Sequence, residues 1–152
     1  MMISGRTRRH PPALDAYVKL VRASSSVTAL LEPRLRAAGL TTSQFGVLEA
    51  IHHLGPLCLG DLARKILTSN ANLTTVVDTL ERRRLVARRR DPSDRRRTEV
   101  CLTARGSRVI SGLFPGHARA IEEIFSALEE GEQRELAQLC RRLGLAAAAG
   151  KP

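Results

Sequence analysis

Residues 70–103 read NANLTTVVDTLERRRLVARRRDPSDRRRTEVCLT, and this stretch decides the fold. Its first part contains four apolar residues at spacings i, i+3, i+4 and i+7, the stripe of an amphipathic helix: Leu73, Val76, Val77 and Leu80. After Leu85, two short segments at 86–90 and 98–102 flank the turn-rich Asp91-Pro92-Ser93-Asp94. These segments predict two strands around a charged loop. The stretch is therefore a helix that leads directly into a β-hairpin.

A longer helix is predicted ahead of this module. Apolar residues recur at helical spacing from Leu14 until Gly39 offers a stop. Pro33 should kink this helix near its end or begin its last turn. Residues 1–12 are basic and end in two prolines, so we expect a disordered arm there.

Two short helices lie between the first helix and the helix at 70–84. Residues 41–43 supply hydroxyl oxygens for an N-cap, and the helix that they start ends by Gly55-Pro56. The next helix covers 59–67, and the polar turn 68–70 precedes the helix at 70–84. The last two helices therefore form a helix-turn-helix pair that a hairpin follows at once.

Two further helices follow the hairpin. Thr103 can cap the first, which we expect to bend at Pro115-Gly116, and the second runs from about Gly131 to Leu143. The fold class is mainly α with a small β-hairpin wing. One compact domain is predicted, made of a helical region at 13–38 and 103–145 and a winged helix-turn-helix region at 39–102, with a tail at 146–152.

The composition favours a polyanionic partner. The 152 residues carry a formal net charge of +10 and a pI near 11.1, which suits nucleic acid first and an anionic membrane second. No apolar run has the length of a membrane span, and no apolar segment follows the charged N-terminus, so a cytoplasmic protein is predicted. The sequence also lacks a nucleophile elbow, a phosphate-binding glycine loop, an HExxH motif and a paired-carboxylate motif. We therefore expect no enzymatic activity, no catalytic residue and no cofactor.

The hairpin and the helix end before it are rich in arginine. Residues 82–97 contain nine arginines and two aspartates, a local charge of +7. A charge run is ordinarily a solvated face, but guanidinium groups this close repel one another unless an anion compensates them. Phosphates are the natural compensator, and planar, weakly hydrated arginine suits a narrow minor groove. The sequence therefore predicts that the hairpin contacts DNA.

The start of the helix at 70–84 offers short polar groups that can approach base edges. The predicted DNA-binding residues in this region are Ser69, Asn70, Asn72, Thr74 and Thr75. Asparagine can bond adenine N6 and N7 together, and a threonine methyl can pack on a thymine methyl. The alternative is that Ser69 and Asn70 only cap the helix and the threonine hydroxyls are solvated. The helix taken alone leaves both interpretations open.

Several motifs resemble the MarR family of bacterial transcription regulators. They are Pro33 with Gly39-Leu40-Thr41 and Gln44, then Gly60-Asp61-Leu62-Ala63, Val77-Asp78-Thr79-Leu80-Glu81-Arg82, and Asp94-Arg95-Arg96 followed by Val100, Leu102-Thr103 and Gly106. The Asp-x-Arg wing tip that leads to a Leu-Thr-x-x-Gly helix start is the most diagnostic part. The resemblance spans about residues 14–143. Arg84 departs from it, because many relatives have glycine there, and this leaves the shape of that turn open.

The resemblance implies roles for the wing and for the flanking helices. Arg96 would enter the minor groove and Asp94 would hold it by an ion pair. Arg95 or Arg97 would meet phosphate, and Arg82 is a further predicted DNA contact. The first, fifth and sixth helices would form a homodimer, which would bind a palindromic operator. Such a protein is expected to be a repressor that a small molecule releases from DNA.

The resemblance also implies a small aromatic or anionic effector, for which Tyr17, His52 and His53 are the candidate contacts. The alternative is that both histidines are satisfied surface or core imidazoles. No metal site is predicted, because His52, His53 and His117 lack the spacing of a ligand set. We expect Cys101 and Cys140 to be buried, whereas Cys58 could be exposed and its redox activity stays open.

Two other classes of protein share the basic charge. A non-specific or architectural nucleic-acid-binding protein needs no base-reading helix face and would bind random duplex within about tenfold of its best site. A protein-interaction module with a basic surface would show no steep salt dependence on DNA. Sequence-specific binding to double-stranded DNA is the function that the sequence predicts.

Overall fold

The computed structural model describes residues 11–66 and 70–150. In chain order its elements are α1 (Pro12–Ala37), α2 (Thr42–Leu54), β1 (Leu57–Cys58), α3 (Leu59–Lys65), α4 (Asn70–Arg82), β2 (Val86–Arg90), β3 (Thr98–Leu102), α5 (Ala104–Phe125) and α6 (Glu130–Ala149). The chain divides into two compact units, Met1–Thr42 and Ser43–Pro152, where the sequence suggests one compact domain. In the described parts, no helix is both long enough and apolar enough to cross a membrane.

The predicted fold class is confirmed, and the sheet has one strand more than expected. The antiparallel strands lie in the order β1-β3-β2, so the hairpin of β2 and β3 is extended by β1. Leu57 pairs with Val100, and Cys58 pairs with Glu99. A strand of two residues is too short to show the alternation that identifies strands in a sequence. Its pairing anchors the segment before α3 to the hairpin.

The core of the second unit is almost entirely aliphatic. Its fully buried side chains include Leu48, Leu62, Leu73, Val77, Leu80, Leu85, Val86, Val100 and Ile110. Three of the four stripe residues predicted on α4 belong to this set, while Val76 is half-buried. The stripe therefore packs α4 against the rest of the unit. Because this face is buried, the opposite face of α4 points to solvent.

The end of α4 is a Schellman motif with arginine where glycine is usual. Arg84 has a φ of 57°, and the N–H groups of Arg84 and Leu85 donate to the carbonyls of Glu81 and Leu80 at 2.8 and 2.9 Å. Leu80 and Leu85 are both buried, as the motif requires of its apolar pair. The turn before the wing therefore keeps the shape that glycine would give it. The cost is conformational strain, because a residue with a Cβ adopts the left-handed backbone conformation.

Arg84→Gly should raise the free energy of unfolding by about 0.5–1 kcal/mol, because glycine adopts positive φ without a Cβ clash. Urea unfolding of the purified variant measures the difference. Gly39 offers a matched control: it ends α1 with a φ of 72°, and its N–H and that of Leu40 donate to Arg36 and Leu35 in the same pattern. Gly39→Ala should lower stability by about 1 kcal/mol. A less stable Arg84→Gly variant would contradict the assigned strain.

Several predicted boundaries were wrong by a few residues. Pro12, assigned to the arm, is the first residue of α1, while residues 1–10 lie outside the described chain. The predicted tail was wrong at 146–149, because α6 continues to Ala149, and alanine has the highest helix propensity. α3 ends at Lys65 and α4 at Arg82, two residues before the predicted ends. For α4 the reason is the left-handed Arg84.

Both helices that contain an internal proline are continuous through it. α1 extends past Pro33 to Ala37, and α5 extends past Pro115 to Phe125. Thr103 caps α5 as predicted, since its hydroxyl oxygen accepts the N–H of Gly106 at 3.0 Å. α6 begins with a capping box between Glu129 and Glu132. This capping box was not predicted from the sequence.

Candidate nucleic-acid interface

The exposed face of α4 carries the predicted base-reading residues that the structure describes. Asn72, Thr74 and Thr75 are all exposed, and each makes at least one interaction within the chain. Asn70 is the first residue of α4, while Ser69 lies outside the described residues. Asn72, Thr74 and Thr75 thus lie outside the buried stripe, on the side that could enter a groove. Their contact with DNA stays a prediction.

Arg82 lies about two turns beyond Thr75 on α4 and is also exposed. Its Nη2 donates to the hydroxyl of Thr79 at 3.2 Å, and that hydroxyl donates to the carbonyl of Thr75 at 3.0 Å. This chain of bonds directs the guanidinium along the helix surface. A shallow, open groove lined by Thr75, Asp78, Glu81 and Arg82 lies beside it. Arg82 is therefore placed beside the predicted base-reading groups.

The wing tip is closed by hydrogen bonds of its own backbone and aspartates. The N–H of Asp91 donates to the carbonyl of Arg97, and the N–H of Arg97 donates to the carbonyl of Asp94, both at 2.9 Å. The carboxylate of Asp91 accepts the N–H of Ser93 at 2.7 Å. That bond is the main reason why the pKa of Asp91 lies below its ordinary value. The loop is therefore a defined turn, which can hold a side chain in one direction.

The side chain held there is Arg96. The carboxylate of Asp94 accepts both the backbone N–H of Arg96, at 3.0 Å, and its Nε, at 3.3 Å. The ion pair that the family resemblance implies is therefore present. The side chain of Arg96 is 92% exposed. The guanidinium therefore projects into solvent, while Asp94 holds its Nε and the backbone N–H of the same residue. Arg95 is exposed at the same tip.

Arg97 is engaged with the chain through contacts that the sequence did not predict. Its Nη2 donates to Sγ of Cys58 at 3.2 Å and lies 3.6 Å from Oδ2 of Asp61. The thiol of Cys58 also donates to Asp61 at 3.0 Å, and Arg64 pairs with the same carboxylate. The bond from Cys58, followed by the charges of Arg64 and Arg97, lowers the pKa of Asp61. Arg97 thus ties the wing to the segment around α3.

Arg88 is also paired within the chain, and its side chain is largely covered. Its Nη2 contacts Oδ1 of Asp78 at 2.5 Å, its Nη1 pairs with Glu81, and its backbone N–H donates to Glu81 at 3.2 Å. Partial burial would lower the pKa of Arg88, but the bonds to both carboxylates outweigh it and raise that pKa. Arg89 lies 3.5 Å from Glu99 on the paired strand. These pairings compensate part of the +7 charge, although among the paired arginines only Arg88 is largely covered.

The cysteines differ from expectation. Cys140 was predicted to be buried, and that prediction was wrong, because it is exposed on α6. Cys58 and Cys101 are half-buried, and the thiol of Cys101 donates to the carbonyl of Ala87 at 3.4 Å. The apolar neighbours of Cys140 in sequence suggested a core, but within this chain α6 has no buried residue.

The candidate effector residues fall in different units. His52 and His53 are exposed at the end of α2, with ring centroids 5.1 Å apart, and the ring of Phe114 lies 4.6 Å from that of His53. Tyr17, on α1 in the first unit, is 64% exposed. Its association with the histidines stays a prediction. Among the described residues, no group of three or more histidine, cysteine, aspartate or glutamate side chains could hold a metal ion.

A helix-turn-helix pair with short polar groups on its second helix, followed by an arginine-tipped wing, defines the class of winged-helix DNA-binding regulators. A sequence profile described as the MarR family matches residues 40–98. The HTH-type transcriptional regulator MhqR of Bacillus subtilis (strain 168) is 34% identical over 133 residues, which cover 88% of this chain and 92% of MhqR. The chain belongs to the MarR family and is a transcriptional regulator.

Solved structures agree with this assignment. Sco3205, a MarR family regulator from Streptomyces coelicolor solved in complex with DNA, has a TM-score of 0.79 and 25% identity, covering 95% of this chain and 92% of its own. Bordetella bronchiseptica BpsR, whose DNA binding is regulated by 6-hydroxynicotinic acid, has a TM-score of 0.75 and 27% identity. The likeness covers 85% of this chain and 98% of BpsR.

Proposed function

We propose that this chain acts as a homodimer on a palindromic operator, represses transcription, and leaves DNA when a small molecule binds. The observation that carries the proposal is the fixed, solvent-directed Arg96 at the wing tip of a module whose helix α4 exposes Asn72 and Thr75. The proposed site of action is the cytoplasm, where bacterial DNA lies. No enzymatic activity is proposed, because MhqR and Sco3205 are regulators.

The proposal of a homodimer is supported by apolar side chains that the single chain leaves exposed. On α6 they are Leu139, Leu143 and Leu145, each about half exposed. On α1 they are Leu14, Tyr17, Leu20, Val21 and Leu30. A surface with this many exposed apolar side chains is typical of an interaction site. The family resemblance implies that a second copy of the chain covers it. A twofold dimer would place its two α4 helices about 34 Å apart, one turn of duplex.

Selection of bound duplexes from a random pool tests the function directly. We expect a palindromic consensus with half-sites about one helical turn apart, and a dimer by light scattering. Enrichment of no consensus, together with equal affinity for random duplex, would instead indicate an architectural nucleic-acid-binding protein.

Substitutions on α4 should change which sequence is preferred. Asn72→Ala or Thr75→Ala should relax the consensus at one or two positions per half-site, because each good base contact discriminates by about 1–3 kcal/mol. Arg95→Ala is the control: as a phosphate contact, it should weaken all duplexes alike. The measurement is a repeat selection with each variant. A uniform loss for the α4 variants would show that these residues contact only phosphate.

The proposed effector is a small aromatic acid. BpsR is regulated by such a compound, and His52 and His53 place two exposed imidazoles beside the ring of Phe114. A panel of aromatic carboxylic acids should include one that releases a labelled operator in an anisotropy titration. His53→Ala should raise the concentration needed for release by roughly tenfold, about the effect of one lost charge-assisted bond. Release at an unchanged concentration would exclude His53 from the effector site.

A further inference from the structure

We infer that Arg88 is a positioning residue for DNA recognition, which holds the wing in a fixed direction relative to α4. The inference concerns the Arg88 clamp, defined as Arg88 of β2 with Asp78 and Glu81 of α4. It rests on the proposed function and adds to it a residue that need not touch DNA.

The clamp joins the two DNA-binding elements by three contacts. One guanidinium bridges both carboxylates, with Nη2 on Asp78 at 2.5 Å and Nη1 on Glu81. Glu81 is held a second time by the backbone N–H of Arg88 at 3.2 Å. Asp78 and Glu81 are three residues apart on α4, so they lie on one face of the helix. A planar guanidinium with two carboxylate partners fixes both distance and angle, which one flexible ion pair would not do.

The position of Arg88 in its strand makes the clamp a link to the wing tip. Along β2 side chains alternate, so Arg88 shares a face with the buried Val86, and its paired residue on β3, Val100, is also buried. The side chain of Arg88 is only 25% exposed, against 50% for Arg89. Beyond Arg88 the strand continues into the turn that holds Arg96. A rotation of β2 against α4 would therefore displace Arg96 from its groove.

Electrostatics supports a role in positioning. Asp78 and Glu81 lie on α4, where uncompensated carboxylates would repel the phosphates of a bound duplex. Arg88 offsets one of the two negative charges, yet in doing so it is itself turned away from solvent. A residue that served only to attract phosphate would be placed as Arg96 is, with its guanidinium exposed. The geometry of Arg88 is that of a link between two elements.

The test compares Arg88→Met with Arg89→Met on the selected operator. Each variant removes one positive charge from neighbouring positions of β2, and Arg89 is paired across the sheet with Glu99 and not with α4 among the described residues. Both should weaken binding slightly through the lost charge. Arg88→Met should weaken it at least tenfold more than Arg89→Met. Arg88→Lys, which can reach one carboxylate at a time, should fall between wild type and Arg88→Met.

A double-mutant cycle separates positioning from general loss of structure. In the wild-type background Arg96→Ala should cost about 5- to 150-fold in affinity, whereas in the Arg88→Met background it should cost less than threefold, because Arg96 is no longer directed at the groove. Circular dichroism and the unfolding midpoint establish that Arg88→Met is folded at the assay temperature. Equal costs of Arg96→Ala in both backgrounds overturn the inference.

A second variant keeps the inference testable if Arg88→Met does not fold. Glu81→Gln removes a negative charge beside the duplex, so simple electrostatics predicts tighter binding, whereas loss of the clamp predicts weaker binding. We expect at least fivefold weaker binding, and tighter binding overturns the inference. If wild-type protein binds an operator while the Arg88 and Glu81 variants match it, only the inference fails. If wild type prefers no duplex, the proposed function fails with it.

Discussion

Gly106→Ala should lower the free energy of unfolding by about 3 kcal/mol or more, the largest effect that we expect from a single methyl group in this protein. A Cβ at position 106 would lie 1.8 Å from the carbonyl oxygen of Leu85 and 2.8 Å from its carbonyl carbon. Those atoms belong to the backbone and cannot rotate away. The first turn of α5 must therefore move away from the chain that connects α4 to the wing.

The same carbonyl explains why the contact is so close. The oxygen of Leu85 accepts the N–H of Thr103 at 3.1 Å, and the hydroxyl of Thr103 donates to the carbonyl of Arg84 at 2.6 Å while it accepts the N–H of Gly106. One short segment thus connects the end of α4, the end of β3 and the start of α5. Moving α5 outward to admit a methyl group breaks these bonds together.

Gly112→Ala provides the matched control for this prediction. Gly112 lies on the same helix, and nothing stands within 4 Å of the place that a Cβ would occupy there. The substitution should raise stability by up to about 1 kcal/mol, through the better helix propensity of alanine. Urea denaturation of both variants provides the comparison. Similar stabilities for the two variants would mean that α5 moves away from Leu85 at little cost.

Arg96→Ala should weaken operator binding by about 1–3 kcal/mol, or roughly 5- to 150-fold, and leave dimerisation intact. Among the ion-paired arginines described at the wing, Arg96 has the most exposed side chain. Asp94 accepts hydrogen bonds from both its backbone N–H and its Nε. A directed arginine loses little entropy when it enters a narrow groove. Anisotropy titration at constant salt measures the loss, with Arg89→Met as the control for charge. An affinity equal to that of the control would refute the assigned role of Arg96.

Asp94→Ala tests whether direction matters in addition to charge. Removing a carboxylate should strengthen attraction to phosphate if only net charge counts. If Asp94 serves to direct Arg96, binding should weaken by about 1 kcal/mol, because the backbone N–H and Nε of Arg96 both lose their acceptor. Tighter binding by Asp94→Ala would therefore show that the ion pair is incidental.

Much of the site followed from local patterns in the sequence. The stripe on α4, the hairpin and the Thr103 cap depend on residues within a few positions of one another, whereas the Asp94–Arg96 pair was implied by the family resemblance. Helices and strands repeat with fixed periods, so such features can be identified without tertiary contacts. The sequence alone determined the winged-helix class, the basic surface and the face of α4 that carries the polar groups.

Only the tertiary structure decided which arginines form ion pairs within the chain and which carboxylates they meet. The Arg88 clamp joins residues 7 and 10 positions apart, and the bond from Arg97 to Cys58 spans 39 positions. The strand β1, the two compact units and the requirement for glycine at position 106 also depend on distant segments. The physical reason is that charge and close packing act through space. The number of residues between two side chains in the sequence does not determine how far apart those side chains lie in the folded protein.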